Sequence, residues 1–283
     1  MTDFTEMDQW DTEKVRQFQE DARFHRHTMR LKAPAARAEH LVAEGDSWFD
    51  YAPAGTDIIA CLQNHYDYTI DNYAKAGDTL ENMIYGTRID SRFGKVSPSI
   101  DQVLQRIGEI KPKAFLFSGG GNDVAGEELE SYLNHKESGL PALRLSYVNT
   151  VIQEIFRTYF EDLIAKVASV SPETYIITHG YGHTFPTGKG VGIFGFSFIG
   201  PWLLPALARK RIFNLAEQQQ VITTLIDTYN DLLEDLRNKH PKFLYIDLRG
   251  MLDPASDWAN ELHLKNSAFA RVAERIHQEI LSL

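Results

Sequence analysis

Four short segments carry residue types that can together catalyse acyl transfer. They contain Ser47, Gly77, Asn122 and His263. A serine hydroxyl can attack a carbonyl carbon once a histidine, which titrates near neutral pH, removes its proton. Backbone N–H groups at a turn or helix start, and an asparagine amide, can donate hydrogen bonds to a developing oxyanion. Each residue alone is also typical of a helix cap, a turn or a surface loop, so the chemistry depends on whether they meet.

These four residues follow different predicted strands. Five apolar runs alternate with longer helical stretches, and the runs cover residues 40–43, 68–73, 114–117, 175–178 and 243–246. Ser47, Gly77 and Asn122 follow the first three runs, and His263 follows the fifth. Such alternation predicts a parallel sheet with helices on both faces. Because active sites of open parallel sheets lie beyond the carboxyl ends of the strands, we expect the four residues to converge at one edge.

Three long helices are predicted over residues 143–170, 213–239 and 266–281. The second repeats apolar residues at helical spacing. Residues 7–30 are charged and predict a further helix, which Pro34 ends or follows. We therefore divide the chain into an N-terminal helical extension over 1–36 and one larger domain over 37–283. For the extension we favour a packing or homo-oligomer-forming role over a catalytic one.

The four motifs resemble those of the SGNH hydrolase superfamily, the GDSL-type esterases and lipases. They occur in the family's order between residues 45 and 263. The matching positions are Gly45-Asp46-Ser47 for the first block, Gly77 for the second, Gly120-Gly121-Asn122-Asp123 for the third and His263 for the last. The resemblance implies an α/β fold, a three-layer α/β/α sandwich with a five-stranded parallel sheet of the flavodoxin-like type.

The resemblance also implies a mechanism. Ser47 attacks an ester carbonyl, His263 takes its proton, and water then hydrolyses the acyl-enzyme. The backbone N–H groups of Ser47 and Gly77 and the side chain of Asn122 form the oxyanion hole. No metal or organic cofactor is implied.

His179 and His183 are four residues apart, which is a spacing found in some zinc sites on helices. The glycines at 180 and 182 argue against a helix here, and therefore against a zinc site.

One block departs from the family pattern Asp-x-x-His-Pro. Asn260 occupies the acid position, and Leu264 replaces the proline. An asparagine can orient an imidazole but cannot stabilise an imidazolium by charge. We favour Asn260 as a neutral orienter, with a backbone carbonyl as a partial substitute. Asp257 is the alternative acid, and Glu261 is a weaker one because it lies only two residues from the histidine.

The segment 180–207 follows the fourth predicted strand and is rich in glycine and aromatic residues. Its part 191–207 is interrupted by glycine and proline, which predicts a loop. We expect the segment to line the acyl pocket or to form a lid. The candidate pocket residues are Phe194, Phe196, Phe198 and Trp202, together with Trp48 beside the nucleophile. Core packing and a partner surface are the other interpretations of these aromatic residues.

The composition narrows the functional class. The 283 residues carry a net charge of −10, which argues against binding to nucleic acids. A single cysteine, Cys61, excludes an internal disulfide and fits a reducing compartment. The first thirty residues lack an apolar signal core, and no apolar run is long enough to span a membrane. We therefore expect a cytoplasmic protein with no transmembrane segment.

The leading hypothesis is hydrolysis of a small-molecule carboxylic ester. The substrate classes left open are short-chain acyl esters, lipid esters and O-acetyl groups on sugars. The aromatic segment favours an apolar acyl chain. The alternative is a non-catalytic binding or scaffold protein with the same fold, which the altered acid position and the N-terminal extension would suit.

Overall fold

The computed structural model describes residues 39–51, 56–87, 89–90, 94–95, 98–193 and 196–283. The predicted N-terminal helical extension over 1–36 lies outside these residues, so the proposed division of the chain stays a prediction. Everything needed to place Ser47, Gly77, Asn122 and His263 lies inside them.

Five parallel strands form the central sheet. They are β1 His40–Glu44, β2 Thr69–Asn72, β5 Ala114–Phe117, β6 Tyr175–His179 and β9 Phe243–Ile246, in the spatial order β2-β1-β5-β6-β9. All four residues of β5 are buried, as expected for a central strand covered on both faces. The five predicted strands are confirmed, and β2 is one residue shorter at each end than its apolar run.

Helices cover both faces of this sheet and create two separate cores. Helices α2 Leu80–Tyr85, α3 Ser99–Ile110, α5 Arg157–Val170 and α7 Leu215–Lys239 share one core with Phe115 and Phe117. Helices α1 Ile58–Tyr66 and α8 Asn266–Ser282 share the other core with Ala114 and Leu116. Neighbouring residues of β5 therefore point to opposite layers, as the pleat of a strand requires. The result is the predicted three-layer α/β/α sandwich.

The predicted helix over 143–170 has three parts in the structure. Helix α4, Leu145–Asn149, continues through a π-helical stretch, Thr150–Phe156, into α5. The π-helical stretch packs against α7, where Gln153 Nε2 donates to the carbonyl oxygen of Thr228 at 2.9 Å. The two other predicted helices are confirmed as α7 and α8.

The expectation of a loop over 191–207 is wrong in two places. Strands β7, Val191–Ile193, and β8, Phe196–Ile199, form an antiparallel pair, and α6 covers Leu204–Arg209. β-Branched and aromatic residues flank a two-residue connection, which is a hairpin pattern that the glycines obscure. Another short pair joins β3, Ile89–Asp90, to β4, Gly94–Lys95. Among the described helices, none combines the length and apolarity needed to cross a membrane.

Candidate active site

The turn after β1 presents Ser47 at the carboxyl edge of the sheet. Gly45 is required there, because a Cβ atom at this position would lie 2.8 Å from the carbonyl oxygen of Ser118. Asp46 is buried and accepts hydrogen bonds from Ser118 Oγ at 2.8 Å, the Trp48 backbone N–H at 3.0 Å and the Tyr181 hydroxyl at 2.8 Å. These bonds tie the serine turn to the segments that follow β5 and β6.

His263 meets Ser47 from the loop that precedes α8. The Nε2 atom of His263 lies 2.8 Å from Ser47 Oγ, although 216 residues separate them in the chain. A second link joins the two loops, since Trp48 Nε1 donates to the carbonyl oxygen of Leu262 at 3.0 Å. The predicted convergence of serine and histidine at one sheet edge is therefore present in the structure.

Asn260 determines which nitrogen of His263 carries the proton. Its Oδ1 accepts the backbone N–H groups of Leu262 at 3.0 Å and His263 at 2.9 Å. Because both groups can only donate, the oxygen end of the amide must face them. The same oxygen lies 3.1 Å from His263 Nδ1, so Nδ1 donates its hydrogen to Asn260. Nε2 is then the bare nitrogen that accepts the Ser47 hydroxyl.

The surroundings of His263 strongly favour the neutral imidazole. The residue is 5% exposed, and burial lowers the pKa of His263 to about 3. The ring of Tyr51 stacks on the imidazole with centroids 4.0 Å apart and planes inclined by 12°, and Trp202 approaches edge-on at 5.4 Å. Desolvation disfavours the charged form of a base, so His263 stays able to accept a proton well below neutral pH.

The two alternative acids bind other partners. Asp257 Oδ2 lies 2.6 Å from Arg271 Nη2 and accepts the Asp253 backbone N–H at 2.8 Å. Glu261 is fully buried, and its carboxylate accepts four backbone N–H groups at 2.7 to 3.1 Å. These N–H groups belong to Gly188 and to residues 202–204 at the start of α6. Glu261 thus anchors the segment after β6, and Asn260 is the described partner of His263 Nδ1.

The two further oxyanion candidates lie near each other at this edge. Gly77 follows β2 in a turn and has φ of +78°, which favours glycine. Asn122 Nδ2 donates a hydrogen bond to the backbone carbonyl oxygen of Asp78, the residue after Gly77, at 2.8 Å. Asn122 also lines the pocket that contains Ser47. A hydrogen bond to a neighbouring carbonyl leaves an amide its second N–H for a substrate oxygen.

An apolar pocket of about 690 Å³, including its open mouth, extends from Ser47. Helix α7 supplies one wall, and residues around β5, α6 and the histidine loop supply the others. The aliphatic and aromatic side chains that line the pocket are Trp48, Val124, Ala125, Tyr181, Leu203, Ile222, Leu225, Ile226, Tyr229, Trp258 and Leu262.

The predicted pocket residues have different positions. Trp48 lines the pocket, whereas Trp202 contacts the imidazole of His263. Phe194 lies outside the described residues. Phe196 and Phe198 belong to β8, and their side chains lie outside the described part. Sequence analysis did not find the α7 wall, because apolar residues at helical spacing are typical of any helix that packs on a sheet.

Two other residues of the site also escaped sequence analysis. Tyr51 stacks on His263, and the Tyr181 hydroxyl donates to Asp46 and accepts the Gly121 backbone N–H at 3.2 Å. Neither tyrosine belongs to a motif. Within the described residues, no group of three or more His, Cys, Asp or Glu side chains could hold a metal ion.

Comparison of the sequence with protein-family models and with curated proteins finds no match. Solved structures with a similar fold do exist. One is an extracellular lipase from Streptomyces rimosus, with 14% identity and a TM-score of 0.52, over 87% of this chain and 99% of the lipase. Another is phospholipase A1 from Streptomyces albidoflavus NA297, with 13% identity and a TM-score of 0.50, over 87% of this chain and 99% of that protein.

A third similar structure is the periplasmic domain of a lipopolysaccharide acetyltransferase from Salmonella ser. Paratyphi A. It has 13% identity and a TM-score of 0.50, over 87% of this chain and 85% of that domain. At such low identity the similarity concerns the fold. The predicted resemblance to SGNH hydrolases is confirmed at that level, as a five-stranded parallel sheet between two layers of helices.

Proposed function

We propose that this protein is an SGNH-type serine hydrolase of carboxylic esters, with Ser47 as nucleophile and His263 as general base. The observation that carries the proposal is the 2.8 Å hydrogen bond between Ser47 Oγ and His263 Nε2. Asn260 supports it by accepting the Nδ1 hydrogen, so that the lone pair of Nε2 is directed at the hydroxyl. Similar folds in a lipase and a phospholipase agree with this class of reaction.

The reaction proceeds in two halves. Ser47 Oγ bonds to the carbonyl carbon while its proton passes to His263 Nε2, and the carbonyl electron pair moves to the oxyanion. The oxyanion accepts hydrogen bonds from the Ser47 and Gly77 backbone and the Asn122 amide. The tetrahedral intermediate collapses, and the imidazolium gives its proton to the leaving alcohol. Water then attacks the acyl-enzyme with His263 again as base, which releases the carboxylic acid.

The pocket favours esters with an apolar acyl chain. Its lining is mostly aliphatic and aromatic, beside the polar residues Asp46, Asn122, Thr184 and Glu261, and each buried methylene of a ligand gains about 0.8 kcal/mol. We therefore propose that the enzyme prefers acyl groups of several carbons over acetyl, which favours short-chain or lipid esters over O-acetyl sugars.

The test is the hydrolysis of p-nitrophenyl esters of graded acyl length by the wild type and by Ser47→Ala. We expect kcat/KM to rise from acetate to longer acyl chains, and Ser47→Ala to lower kcat by roughly 1,000-fold or more. A fluorophosphonate should label the wild type at Ser47 and leave the folded Ser47→Ala protein unlabelled. Equal turnover by both proteins would exclude the proposed esterase activity at Ser47. Fatty-acid binding without turnover would then identify a non-catalytic binding protein.

A further inference from the structure

The neutral residue at the acid position leaves the positive charge of a protonated His263 without a neighbouring carboxylate. When Ser47 attacks, His263 becomes an imidazolium in a buried site, and Asn260 has no charge to offset it. The two alternative acids bind other partners, Asp257 the Arg271 side chain and Glu261 four backbone N–H groups. The described contacts of the imidazole are with Ser47, Asn260, Tyr51 and Trp202, all of them uncharged.

Tyr51 contacts both Asn260 and His263. Its hydroxyl oxygen lies 3.1 Å from Asn260 Nδ2, which donates its hydrogen to it. Its ring covers the imidazole at 4.0 Å, nearly parallel, and the whole side chain is buried. The electron-rich face of an aromatic ring attracts a cation placed over it. The Tyr51 ring therefore stabilises the imidazolium by a cation–π interaction, which it cannot make with the neutral imidazole.

The backbone holds Tyr51 in this position. Its N–H donates to Asp57 Oδ2 at 3.2 Å, and Asp57 Oδ1 accepts the Ala60 N–H at 2.7 Å as the N-cap of α1. The cap of a helix in the sandwich thus determines where the ring stacks.

We propose that Tyr51 is a positioning residue that, together with Asn260, replaces the missing acid of the triad. Its hydroxyl accepts the Asn260 Nδ2 hydrogen and so holds in place the amide that the two backbone N–H groups orient, and its ring stabilises the imidazolium formed during catalysis. This inference rests on the proposed ester hydrolysis. It adds a residue that the family resemblance does not assign.

Tyr51→Phe separates the hydroxyl from the ring. It leaves the buried Asn260 Nδ2–H without its acceptor, so the amide holds His263 Nδ1 less firmly, and we expect kcat to fall about tenfold with little change in KM. Tyr51→Leu also removes the ring, and we expect about tenfold further loss of kcat. In an Asn260→Asp background the carboxylate has no N–H that needs an acceptor, so Tyr51→Phe should cost less than about threefold.

Nitrogen NMR of the His263 ring measures, without substrate, which ring nitrogen carries the hydrogen. The wild type should hold the tautomer with hydrogen on Nδ1 and none on Nε2. Tyr51→Phe should show a mixture of both neutral tautomers while thermal unfolding confirms a folded protein. If the wild type fails to hydrolyse esters and Ser47 is not labelled, the proposed function is wrong, and the ring tautomer still tests Tyr51.

Tyr68→Phe is the matched control. Tyr68 is a buried tyrosine whose hydroxyl lies 2.8 Å from Nδ1 of His277, away from the candidate site, so this variant should keep wild-type kcat. The inference would be overturned if both Tyr51 variants kept wild-type kcat and tautomer. It would also be overturned if Tyr51→Phe cost as much in the Asn260→Asp background as in the wild type, which would indicate packing alone.

Discussion

At the scale of single residues, this site orients its histidine without a neighbouring negative charge. In a Ser-His-Asp triad one carboxylate both orients the histidine and stabilises its positive charge. Here Asn260 Oδ1 orients His263 without any charge, through hydrogen bonds from the Nδ1 and backbone N–H of His263 and from the backbone N–H of Leu262. Burial then dominates the electrostatics and lowers the pKa of His263 to about 3. The base is consequently unprotonated over the whole mildly acidic range.

This low pKa predicts that the activity of the enzyme falls only at an unusually acidic pH. Only the neutral imidazole accepts a proton, so activity falls when the pH drops below the pKa of His263. For the wild type we expect kcat/KM, which reports the free enzyme, to show no His263 limb between pH 8 and about 5. Asn260→Asp places a carboxylate beside Nδ1 and should raise this pKa by about 1–3 units, which moves the limb upward. Identical profiles for both proteins would contradict the prediction.

At the scale of elements, a helix and a loop segment shape the pocket. Ile222, Leu225, Ile226 and Tyr229 face it from successive turns of α7. The Glu261 carboxylate holds Gly188 and residues 202–204, of which Leu203 lines the pocket. Because Glu261 lies between Asn260 and His263 in the chain, the histidine loop also anchors the wall of the pocket.

Ile226→Phe tests the wall formed by α7. Ile226 is half-buried, so a larger side chain can turn into the pocket without disrupting the core. We expect kcat/KM for p-nitrophenyl octanoate to fall about tenfold and that for acetate to stay within about twofold, since a lost methylene contact costs about 1–3 kcal/mol. Ile164→Phe, at a half-buried position of α5 outside the pocket lining, is the control. Equal loss on both esters would place the acyl chain elsewhere.

At the scale of the whole molecule, the sandwich buries carboxyl groups beneath the candidate site. Glu44 ends β1 with no exposed surface, and its Oε1 accepts the Gly45 N–H at 3.0 Å. Desolvation raises the pKa of Glu44 to about 8 and the pKa of the half-buried Asp123 to about 7. The folded protein therefore holds protons near neutral pH that the unfolded chain releases. Their contribution to stability is fully present below about pH 4 and is lost as the pH rises through 7 and 8.

Glu44→Gln should flatten the dependence of stability on pH. For the wild type, we expect the Glu44 proton to contribute about 2–3 kcal/mol less to the free energy of unfolding at pH 9 than at pH 6. Glutamine keeps the acceptor for Gly45 and cannot ionise, so most of this decline should vanish in urea titrations. Glu154→Gln removes a charge from an exposed helix position and should leave the decline intact. An unchanged slope in Glu44→Gln would show that Glu44 is ionised in the fold.

Much of this architecture is predictable from local patterns. Apolar runs and helical periodicity are properties of neighbouring residues, so the five strands, α7 and α8 could be placed to within a residue or two. The β7–β8 pair was missed because glycines obscure its short alternation. Ser47 and His263 could be named together because parallel strands deliver their following loops to one edge, whatever the distance along the chain.

The rest depends on contacts that no local pattern encodes. The family position favoured Asn260 over Asp257, but only the tertiary structure shows that Asp257 pairs with Arg271 and that two backbone N–H groups orient Asn260. Tyr51 lies over a ring more than two hundred residues away, and its spacing in the chain indicates nothing about that contact. Local order follows from periodicity in the chain, whereas the partners of a buried polar atom follow from packing, because every element must be in place before its neighbours are known.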